Sequence, residues 1–434
     1  MADRETIHLT LDEARGLMLA AQGLLDPPPS APTLADARAM VERLGVLQVD
    51  TISVVERSQY LVLWSRLGAY DRTYLDALVH PERAIFEYWS HAASLVPMSD
   101  YPYYRPRMLN AAVGMWGGDR EWLAANAEVL RQTLDAVRVR GPLTSADFER
   151  PDDGRRAEAW DWYGLKESRR ALQILWLQGE LMVHSRRGGQ KVYDLRERLL
   201  AEVLDGQVPA DDALPDEDAR TRHFIGRTIR ALGVLTPSWL WDYFRITPRP
   251  AITPNKHTAR GALDAAVAVG MLLPAVIEGI GAPAYLDPTR LPDLERLRAG
   301  LRPGRTTLLT PFDSLIWHRT RTRALFGYEV VFEAYVLPAK RRYGYYCLAI
   351  LHQGRLVGRL DPRTDRAARR LEVRAAYLEP GVVLDEALLD GLAGALEDLA
   401  RFVGAERVAI ERAEPTALAR GLRTRLRRRI RPQV

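Results

Sequence analysis

Along most of the chain, apolar and polar positions recur in three units of the same design. Each unit opens with Leu-Thr and a polar helix start, in LTLDEAR, LTSADFE and LTPSWLW. Each unit then contains a helical pattern that ends at a glycine and leads into a short apolar run; these glycines are Gly45, Gly179 and Gly270. Because a glycine after a helical pattern favours a helix end, each unit is predicted to place helices before a strand.

The openings of the units carry residues that cap helices. Thr10 and Glu13 have the spacing of a capping box, and Thr144 with Asp147 is its acidic variant. Thr236 precedes a proline, which suits an N-cap followed by proline at the first helical position. The sequence therefore predicts a helix N-terminus at each opening.

Glycine pairs after the strand-like runs predict β-hairpins. In the second unit, Gly188 and Gly189 separate ELMVHSRR from QKVYDL, and such a pair favours a tight turn. The third unit turns near Gly279 and Gly281 in MLLPAVIEGIGAPAYL. Helices followed by a basic hairpin are typical of the winged helix, a variant of helix-turn-helix. Three such units in register predict a tandem winged-helix array.

The pattern changes after residue 303. The segments YEVVFEAYVL, GYYCLAILH, GRLVGRLD and LEVRAAYL have strand-like composition and are separated by turn residues. A helical stretch, DEALLDGLAGALEDLARFV, and a short strand, RVAIE, follow. Seven of the last fifteen residues are arginine, which predicts a solvated or phosphate-binding arm. This part is predicted to be a small, largely antiparallel sheet or β-barrel with one covering helix.

The predicted fold class is therefore α+β, with tandem winged-helix units before a C-terminal sheet or barrel. The predicted domains are residues 1–140, 141–215, 216–302 and 303–434. In the first unit, polar residues stand where the other units begin a hairpin, and no two-glycine turn follows. A helical pattern, DTISVVERSQYLVLWSRL, replaces the hairpin there.

Composition places the chain among ordinary globular proteins. Its 434 residues are 47% hydrophobic and 27% charged, and the length predicts two to four domains. No run approaches the roughly 18 apolar residues that span a bilayer, so no membrane partner is expected. The start, MADRETIHLT, lacks an apolar signal core, which predicts a cytoplasmic protein. The single cysteine, Cys347, excludes internal disulfides and thiolate zinc sites.

The basic residues are almost all arginine. Of the 61 lysines and arginines, four are lysine and 57 are arginine, and the net charge is +5. Arginine binds phosphate through two hydrogen bonds and stacks on bases, which favours a nucleic-acid partner. A GC-rich coding sequence would enrich arginine as well, so the composition alone leaves both explanations open.

Common catalytic motifs are missing from the sequence. It contains no P-loop, no dinucleotide-binding glycine motif after a strand, no HExxH and no GxSxG. The eight histidines are scattered, so neither a metal site nor a cofactor is expected. Any chemistry must then come from carboxylates and amides.

One such pair lies in LGVLQVDTISVVER. If this stretch is extended, Gln48 and Asp50 point to the same side, where a carboxylate and an amide together can hold a water molecule. The alternative is that Asp50 is the N-cap of a helix beginning near Thr51. Ser53 and Glu56 would then form a second candidate capping box.

Basic and aromatic positions supply candidates for DNA contacts. Basic residues of the predicted hairpin would touch phosphates, although most basic turns are simply exposed to solvent. The run AKRRYGYY joins a basic cluster to aromatics, of which Tyr345 and Tyr346 are expected in the core or on the sheet. His91 lies among aromatics, where a packing role is the alternative to a DNA contact. The candidates are Arg57, His91, Arg186, Arg187, Lys191, Lys340, Arg341 and Arg342.

Four long segments resemble one known family. LGVLQVDTISVVERSQYLVLWSRLGAY, FEYWSHAASLVP, PFDSLIWHRTRTRALFGYEVVFEAYV and AKRRYGYYCLAILHQGRLVGRLDP are similar to the AlkZ/YcaQ-like winged-helix DNA glycosylases. The resemblance covers nearly the whole chain. It implies tandem winged helices and a C-terminal β-barrel that form a curved clamp on DNA. It also implies removal of N7-alkylated purines and, in several members, unhooking of interstrand crosslinks.

The family has a Gln-x-Gln branch and a Gln-x-Asp branch, and Gln48-Val49-Asp50 matches the second, also called AlkX. The resemblance therefore assigns catalysis to Gln48 and Asp50. Two positions depart from the expected pattern: His318 follows a tryptophan where an acidic residue is expected, and Arg363 stands where lysine is common. Neither belongs to the catalytic pair, so they leave the substrate preference open.

The expected partner is double-stranded DNA that carries alkylated or crosslinked purines. No lysine lies near Asp50 in sequence, so the expected reaction is monofunctional and leaves an abasic site. Tandem units remove the need to pair two chains, which predicts a monomer. The alternative function is a winged-helix regulator that binds DNA without chemistry, which would favour dimers on a palindrome. An RNA-binding role has no feature in its favour.

Overall fold

The computed structural model describes residues 6–111, 117–148, 167–203, 210–245 and 256–429. The strands are β1 Ile7–Leu9, β2 Leu47–Gln48, β3 Ile85–Trp89, β4 Ala93–Pro97, β5 Leu181–Arg187, β6 Gln190–Leu195, β7 Val234–Leu235, β8 Leu273–Ile277, β9 Ile280–Leu286, β10 Thr306–Leu309, β11 Leu348–His352, β12 Arg355–Asp365, β13 Arg370–Leu378, β14 Arg407–Ile410 and β15 Ala413–Glu414.

The helices are α1 Leu11–Ala21, α2 Leu34–Leu44, α3 Ser58–Leu67, α4 Thr73–Val79, α5 Tyr101–Leu109, α6 Gly117–Ala125, α7 Ala127–Arg140, α8 Glu167–Leu177, α9 Arg196–Val203, α10 Glu217–Leu232, α11 Pro237–Phe244, α12 Lys256–Ala268, α13 Leu291–Arg298, α14 Arg319–Phe326, α15 Glu386–Phe402 and α16 Thr416–Arg429. The fold is mixed α+β, as predicted. Internal contacts group the chain into two compact units, and the division at residues 140, 215 and 302 stays a prediction.

The larger unit comprises Met1–Tyr74, Ser90–Ser94 and Thr221–Val434. Within it, β1 pairs in parallel with β8, and β8 pairs with β9 as a hairpin that places Leu273 opposite Leu286. The predicted turn is confirmed, with Gly279 in the left-handed region at φ +76°. The order along this part is α10, β7, α11, α12 and then the hairpin β8–β9.

A second sheet of the larger unit lies near the C-terminus. Strands β10 to β13 pair antiparallel in sequence order, and β13 then pairs in parallel with β14 and β15. In the described part of the chain these strands form an open path that does not close into a barrel. The predicted covering helix is confirmed as α15, which buries its apolar face at Leu388, Leu392, Leu396 and Leu399.

Two predictions for this region are wrong. The segment YEVVFEAYVL forms no strand. Its Glu333 carboxylate closes a loop instead, because it accepts hydrogen bonds from the backbone N–H groups of Arg342, Tyr343 and Gly344. The arginine-rich tail is not a free arm over its described length. It continues as α16, and Leu418 and Leu422 are buried because the apolar positions recur at helical spacing; residues 430–434 lie outside the described residues.

The smaller unit comprises Leu75–Trp89 and Leu95–Arg220. Its hairpin β5–β6 turns at Gly188 and Gly189, whose φ angles of +57° and +86° suit glycine, so the predicted hairpin is confirmed. Apolar residues of α7, α8 and the hairpin form its core, among them Val137, Leu172 and Leu181. The capping boxes are confirmed at both openings, although Thr144 opens only a turn of 3-10 helix.

Candidate active site

The polar pair lies just after a helix end in the larger unit. Helix α2 stops at Gly45, whose φ of +71° is left-handed, and the chain then runs extended through β2. The Val49 N–H donates to the Ala93 carbonyl at 2.8 Å, which holds the residue between Gln48 and Asp50 in place. Gln48 therefore lies on extended backbone, as the sequence predicts, and Asp50 follows two positions later outside the strand.

Asp50 does not cap a helix, so that interpretation is wrong. Its Oδ1 accepts a hydrogen bond from the Ile52 N–H at 2.7 Å and closes a small turn. Helix α3 begins only at Ser58, with Arg57 at the N-cap position. Residues 51–57 stay non-helical because their carbonyls bond elsewhere: Val54 accepts from the Thr364 N–H at 2.8 Å.

The second candidate capping box is also wrong. Glu56 turns away from Ser53: its Oε1 accepts from the Arg57 N–H at 2.9 Å, and its Oε2 forms an ion pair with Arg72. The Ser53 carbonyl accepts from the guanidinium of Arg366 at 3.2 Å. The Glu56 carboxylate and the Ser53 carbonyl thus bond to groups other than a helix N-terminus, and Asp50 remains in the turn.

The pair retains polar atoms without protein partners. Among the residues that the structure describes, neither Oδ2 of Asp50 nor the side-chain amide of Gln48 makes a hydrogen bond. Both side chains are half-buried. Burial raises the pKa of the Asp50 carboxyl, and the Ile52 N–H opposes this shift. A partly desolvated carboxylate with one free oxygen, two positions along the chain from a free amide, is suited to bind a water and an electron-poor centre.

A buried hydrogen-bonded group lies behind Asp50. The Tyr346 hydroxyl bonds to Thr310 Oγ1 at 2.6 Å, and Thr310 Oγ1 lies 3.4 Å from Ser58 Oγ. Burial raises the pKa of Tyr346, and the negative charge of Asp50 raises it further. Gln59, which is also buried, presents its Oε1 at 3.5 Å from the Asp50 N–H. Tyr346 was expected in the core or on the sheet, and its burial confirms this.

The site residues predicted from the sequence do not include Ser58, Gln59 or Thr310. Ser58 and Gln59 form a polar pair at the start of an otherwise apolar helical run, and this is the signal that marks them. No comparable signal marks Thr310, because its position beside Ser58 depends on contacts far apart in sequence.

Five of the predicted DNA contacts lie in the same unit as the pair, namely His91 and four basic residues. Lys340 and Arg342 are exposed, and Arg57 and Arg341 are half-buried. In the part of the chain that the structure describes, Lys340, Arg57 and Arg342 form no ion pair with a carboxylate. Their charges are therefore available to phosphates.

His91 has the environment of the packing alternative. Its Nδ1 lies 3.0 Å from the Asp242 carbonyl, and its ring stacks on Trp317. Only 6% of the residue is exposed. Burial, followed by the nearby charge of Arg245, lowers the pKa of His91 to about 4. The imidazole is thus neutral at pH 7.

The hairpin candidates belong to the smaller unit and differ from one another. Arg186 and Lys191 form ion pairs with the buried carboxylate of Glu87 at 2.6 and 2.8 Å. Lys191 also lies over the ring of Trp176, 3.5 Å from its centroid, and burial lowers the pKa of its ammonium group. Arg187 is exposed at the turn. Arg186 and Lys191 therefore share one internal carboxylate, which balances one of their two positive charges.

Two further features of the described residues concern metal binding and membrane insertion. No group of three or more His, Cys, Asp or Glu side chains among them is arranged to hold a metal ion. No helix among them has the length and apolar character needed to cross a membrane.

A family model described as DNA glycosylase AlkZ-like matches residues 41–402. The chain belongs to the AlkZ-like DNA glycosylase family. Its structure is similar to that of Streptomyces sahachiroi DNA glycosylase AlkZ, with a TM-score of 0.59 over 94% of this chain and 100% of that chain. The two sequences are 18% identical, so this likeness concerns the fold. Family membership confirms the resemblance and favours a DNA glycosylase over a regulator without chemistry.

Proposed function

We propose that this protein is a monofunctional glycosylase that hydrolyses the N-glycosidic bond of cationic N7-alkylpurines in double-stranded DNA and leaves an abasic site. We include in its substrates the interstrand crosslinks of the nitrogen-mustard type, which it would unhook. The observation that carries the proposal is Asp50: a half-buried carboxylate keeps one oxygen without a partner in the described residues, two positions from an amide that is equally uncommitted.

The substrate supplies much of its own activation. An N7-alkylguanine carries a positive charge, so it leaves as a neutral base once the bond between C1′ and N9 breaks with its electron pair. The protein then has to stabilise an oxocarbenium-like sugar and place a water, as a glycoside hydrolase does. Asp50 stabilises the cation and accepts the proton of the water that bonds to C1′. Gln48 orients this water through its amide.

The electrostatic contribution of Asp50 is of a useful size. At about 4 Å and an effective dielectric constant near 20, a pair of opposite charges gains roughly 4 kcal/mol. This is equivalent to about a thousandfold in rate if the gain arises only in the transition state. Such a factor suits a base that is already a good leaving group. Neutral bases such as uracil are expected to be poor substrates.

The DNA-binding part of the proposal rests on element order and charge. The order helix, strand, helix, helix and hairpin in α10 to β9 is that of a winged helix, and we propose the same architecture for the repeated units. Lys340, Arg342 and Arg57 supply free positive charge in the unit that contains Asp50. A crosslinked base is tethered to the opposite strand, so an open surface that reaches the sugar suits it better than a closed base pocket.

Release of free base from defined duplexes tests the proposal. We expect wild-type protein to release N7-methylguanine and to convert nitrogen-mustard crosslinks to single strands after alkali treatment. Asp50→Asn keeps the size of the side chain but removes its charge, so activity should fall about a thousandfold while DNA affinity is retained. Gln48→Ala should also lower activity. Intact lesions after incubation with excess wild-type protein would reject the proposed reaction.

A matched control separates chemistry from binding. Asp365→Asn removes a carboxylate from the end of β12, and its activity should equal that of wild type. A uracil duplex tests the substrate class: cleavage of uracil at the same rate as N7-methylguanine would contradict the assignment to cationic purines.

A further inference from the structure

A structured loop of the larger unit connects α14 to β11. We call residues 328–343 the aromatic loop. Glu333 accepts hydrogen bonds from the N–H groups of Arg342, Tyr343 and Gly344 at 2.7, 2.8 and 3.2 Å. Arg341 Nε donates to the Val336 carbonyl at 2.8 Å. These contacts join Glu333 and Val336 to residues 341–344, so hydrogen bonds close the turn that carries Tyr335 and Leu337.

The tip of the aromatic loop is apolar and faces solvent. Tyr335 is 87% exposed and Leu337 is 66% exposed. Large apolar side chains presented together in this way usually mark a binding surface. The tip therefore offers a ring and an aliphatic group to a partner that can cover them.

Ring contacts connect this tip to the buried group behind Asp50. The edge of Tyr335 meets Phe332 with ring centroids 5.7 Å apart, and Phe332 in turn contacts Tyr346 at 6.3 Å. Phe312 contacts both Phe332 and Tyr346, at 5.1 and 6.1 Å. The Tyr346 hydroxyl bonds to Thr310 Oγ1, which lies 3.4 Å from Ser58 Oγ, and the next residue, Gln59, has its Oε1 3.5 Å from the Asp50 nitrogen. Tyr335 thus projects from the same aromatic cluster that supports the candidate active site.

The charges beside the tip match a nucleic-acid backbone. The ammonium group of Lys340 is exposed and forms no ion pair or hydrogen bond with the described residues, and the guanidinium of Arg342 lies over Tyr343. The exposed carboxylate of the loop, Glu329, lies 3.7 Å from Arg323 and is neutralised by it. A ring flanked by free cations suits duplex DNA, where phosphates border a stack of bases.

We propose that Tyr335 inserts between base pairs of duplex DNA next to the lesion and holds the unstacked step open while the sugar faces Asp50. This inference rests on the proposed function, because it assigns a role at the same site. Apolar wedges that enter a base step unstack it and bend the duplex, and a phosphate contact beside the wedge fixes its position. Opening the stack in this way requires no rotation of a tethered base into a pocket, so it also serves crosslinked substrates.

Binding to a duplex with a tetrahydrofuran abasic analogue tests insertion without any chemistry. Stacking of a base on an aromatic side chain stabilises the complex, so loss of the ring in Tyr335→Ala should weaken binding about tenfold. Because stacking neutralises no phosphate, the slope of log K against log salt should not change. Lys340→Ala should lower this slope by about one. Tyr335→Phe keeps the ring and should bind like wild type.

A fluorescent base reports insertion directly. With 2-aminopurine beside the abasic analogue, wild type and Tyr335→Phe should change the emission on binding, and Tyr335→Ala should not. Val383→Ala, which truncates another exposed apolar residue of the same unit, is the control and should match wild type throughout. Equal affinity and equal emission for Tyr335→Ala and wild type would overturn the inference.

The proposed function can fail separately. If lesions stay intact while Tyr335→Ala still loses affinity and emission change, insertion holds and the reaction is rejected. If base release persists at the wild-type rate in Tyr335→Ala and its binding is unaltered, the reaction holds and insertion is rejected.

Discussion

The imidazole of His91 stacks on the indole of Trp317, with ring centroids 4.0 Å apart and planes only 6° from parallel. Around it lie Asp242, whose carbonyl contacts Nδ1, and the cations Arg245 and Arg321, which oppose protonation. The ring is thus fixed as a neutral packing element of the larger unit.

This arrangement predicts a histidine that titrates near pH 4. Burial lowers the pKa of His91 to about 4, below the value of about 6.5 in an unfolded chain. The folded state therefore binds the proton less tightly, so its stability contribution is present above pH 6.5 and is lost as pH falls towards 4. As pH falls from 6.5 to 4, the free energy of unfolding of His91→Gln should therefore decrease less than that of wild type. Melting temperatures across the window, and the NMR titration of the imidazole, measure both effects.

His91 should also have no part in the pH dependence of DNA binding. Between pH 6 and 8 we expect wild type and His91→Gln to show parallel affinity curves, because the imidazole is neutral throughout. A drop in affinity that is specific to His91→Gln and grows towards pH 6 would show a charged DNA contact instead.

The carboxylate of Asp50, whose catalytic role is proposed above, is expected to lower the free energy of unfolding at neutral pH. Burial raises its pKa above about 3.9, so the folded state favours the protonated form. The stability it contributes is present below the unfolded pKa and is lost as pH rises through the folded pKa. At pH 7.5, Asp50→Asn should therefore melt at the same temperature as wild type or higher, although it lacks activity. A lower melting temperature would show that the carboxylate is structural.

The same raised pKa predicts the acid limb of the pH–rate profile. Because only ionised Asp50 accepts a proton, the rate of base release should fall tenfold per pH unit below its folded pKa, which lies above the ordinary value of about 3.9. Single-turnover rates with N7-methylguanine duplex, corrected for spontaneous depurination, measure this limb. The limb should be unchanged in His91→Gln and absent from the residual rate of Asp50→Asn. If the acid limb shifts to a different pH in His91→Gln, the titrating group is the His91 imidazole rather than the Asp50 carboxyl.

Local sequence signals predicted the elements that depend on neighbouring residues. The hairpin turns at Gly188 and Gly279 follow from glycine's access to positive φ, and the covering helix α15 follows from its periodic apolar residues. Gln48 and Asp50 were found because paired polar residues interrupt an apolar run. Their extended backbone agrees with that prediction, and their catalytic role stays a proposal.

Other features depend on partners that local sequence signals do not reveal. Glu87 forms ion pairs with two hairpin cations about a hundred positions away, and the DNA contacts proposed for those cations stay a prediction. The segment around Glu333 has the composition of a strand, but its carboxylate closes a loop with residues that follow it. The Asp50 cap failed because Thr364 engages the backbone of Val54 and prevents an earlier helix start. Propensity alone does not reveal such tertiary contacts.

Arg186 and Arg187 provide a matched pair of hairpin variants. Arg187 is exposed, so Arg187→Ala should reduce the slope of log K against log salt by about 0.9 if it binds one phosphate. Arg186 donates to Glu87 and to the Gly189 carbonyl, so Arg186→Ala should leave the slope nearly unchanged and lower the free energy of unfolding by about 1–3 kcal/mol. Salt titrations and urea unfolding distinguish them. A larger reduction of the slope in Arg186→Ala than in Arg187→Ala would contradict the expectation that Arg187 binds the phosphate.

The ion pair of Arg66 and Asp313 links α3, the helix that begins at Ser58, to the segment that follows β10. Both side chains are fully buried, and Arg66 Nη2 donates to Asp313 Oδ1 at 2.8 Å. Arg66 also donates from Nε to the Gln22 carbonyl at 3.1 Å, so its charge is fully engaged. Because Arg66 belongs to α3, the pair holds Ser58 and Thr310 in register behind Asp50.

Removing one partner of this pair should be costly. Asp313→Ala leaves a buried, uncompensated guanidinium, and such changes lower the free energy of unfolding by about 3–5 kcal/mol. Asp398→Ala breaks the exposed pair with Arg401 and should cost less than about 1 kcal/mol. The double variant Arg66→Met with Asp313→Leu should regain much of the loss, since no buried charge remains. Urea unfolding of the three variants measures this order. If Asp313→Ala costs no more than Asp398→Ala, α3 is held by apolar packing rather than by the ion pair.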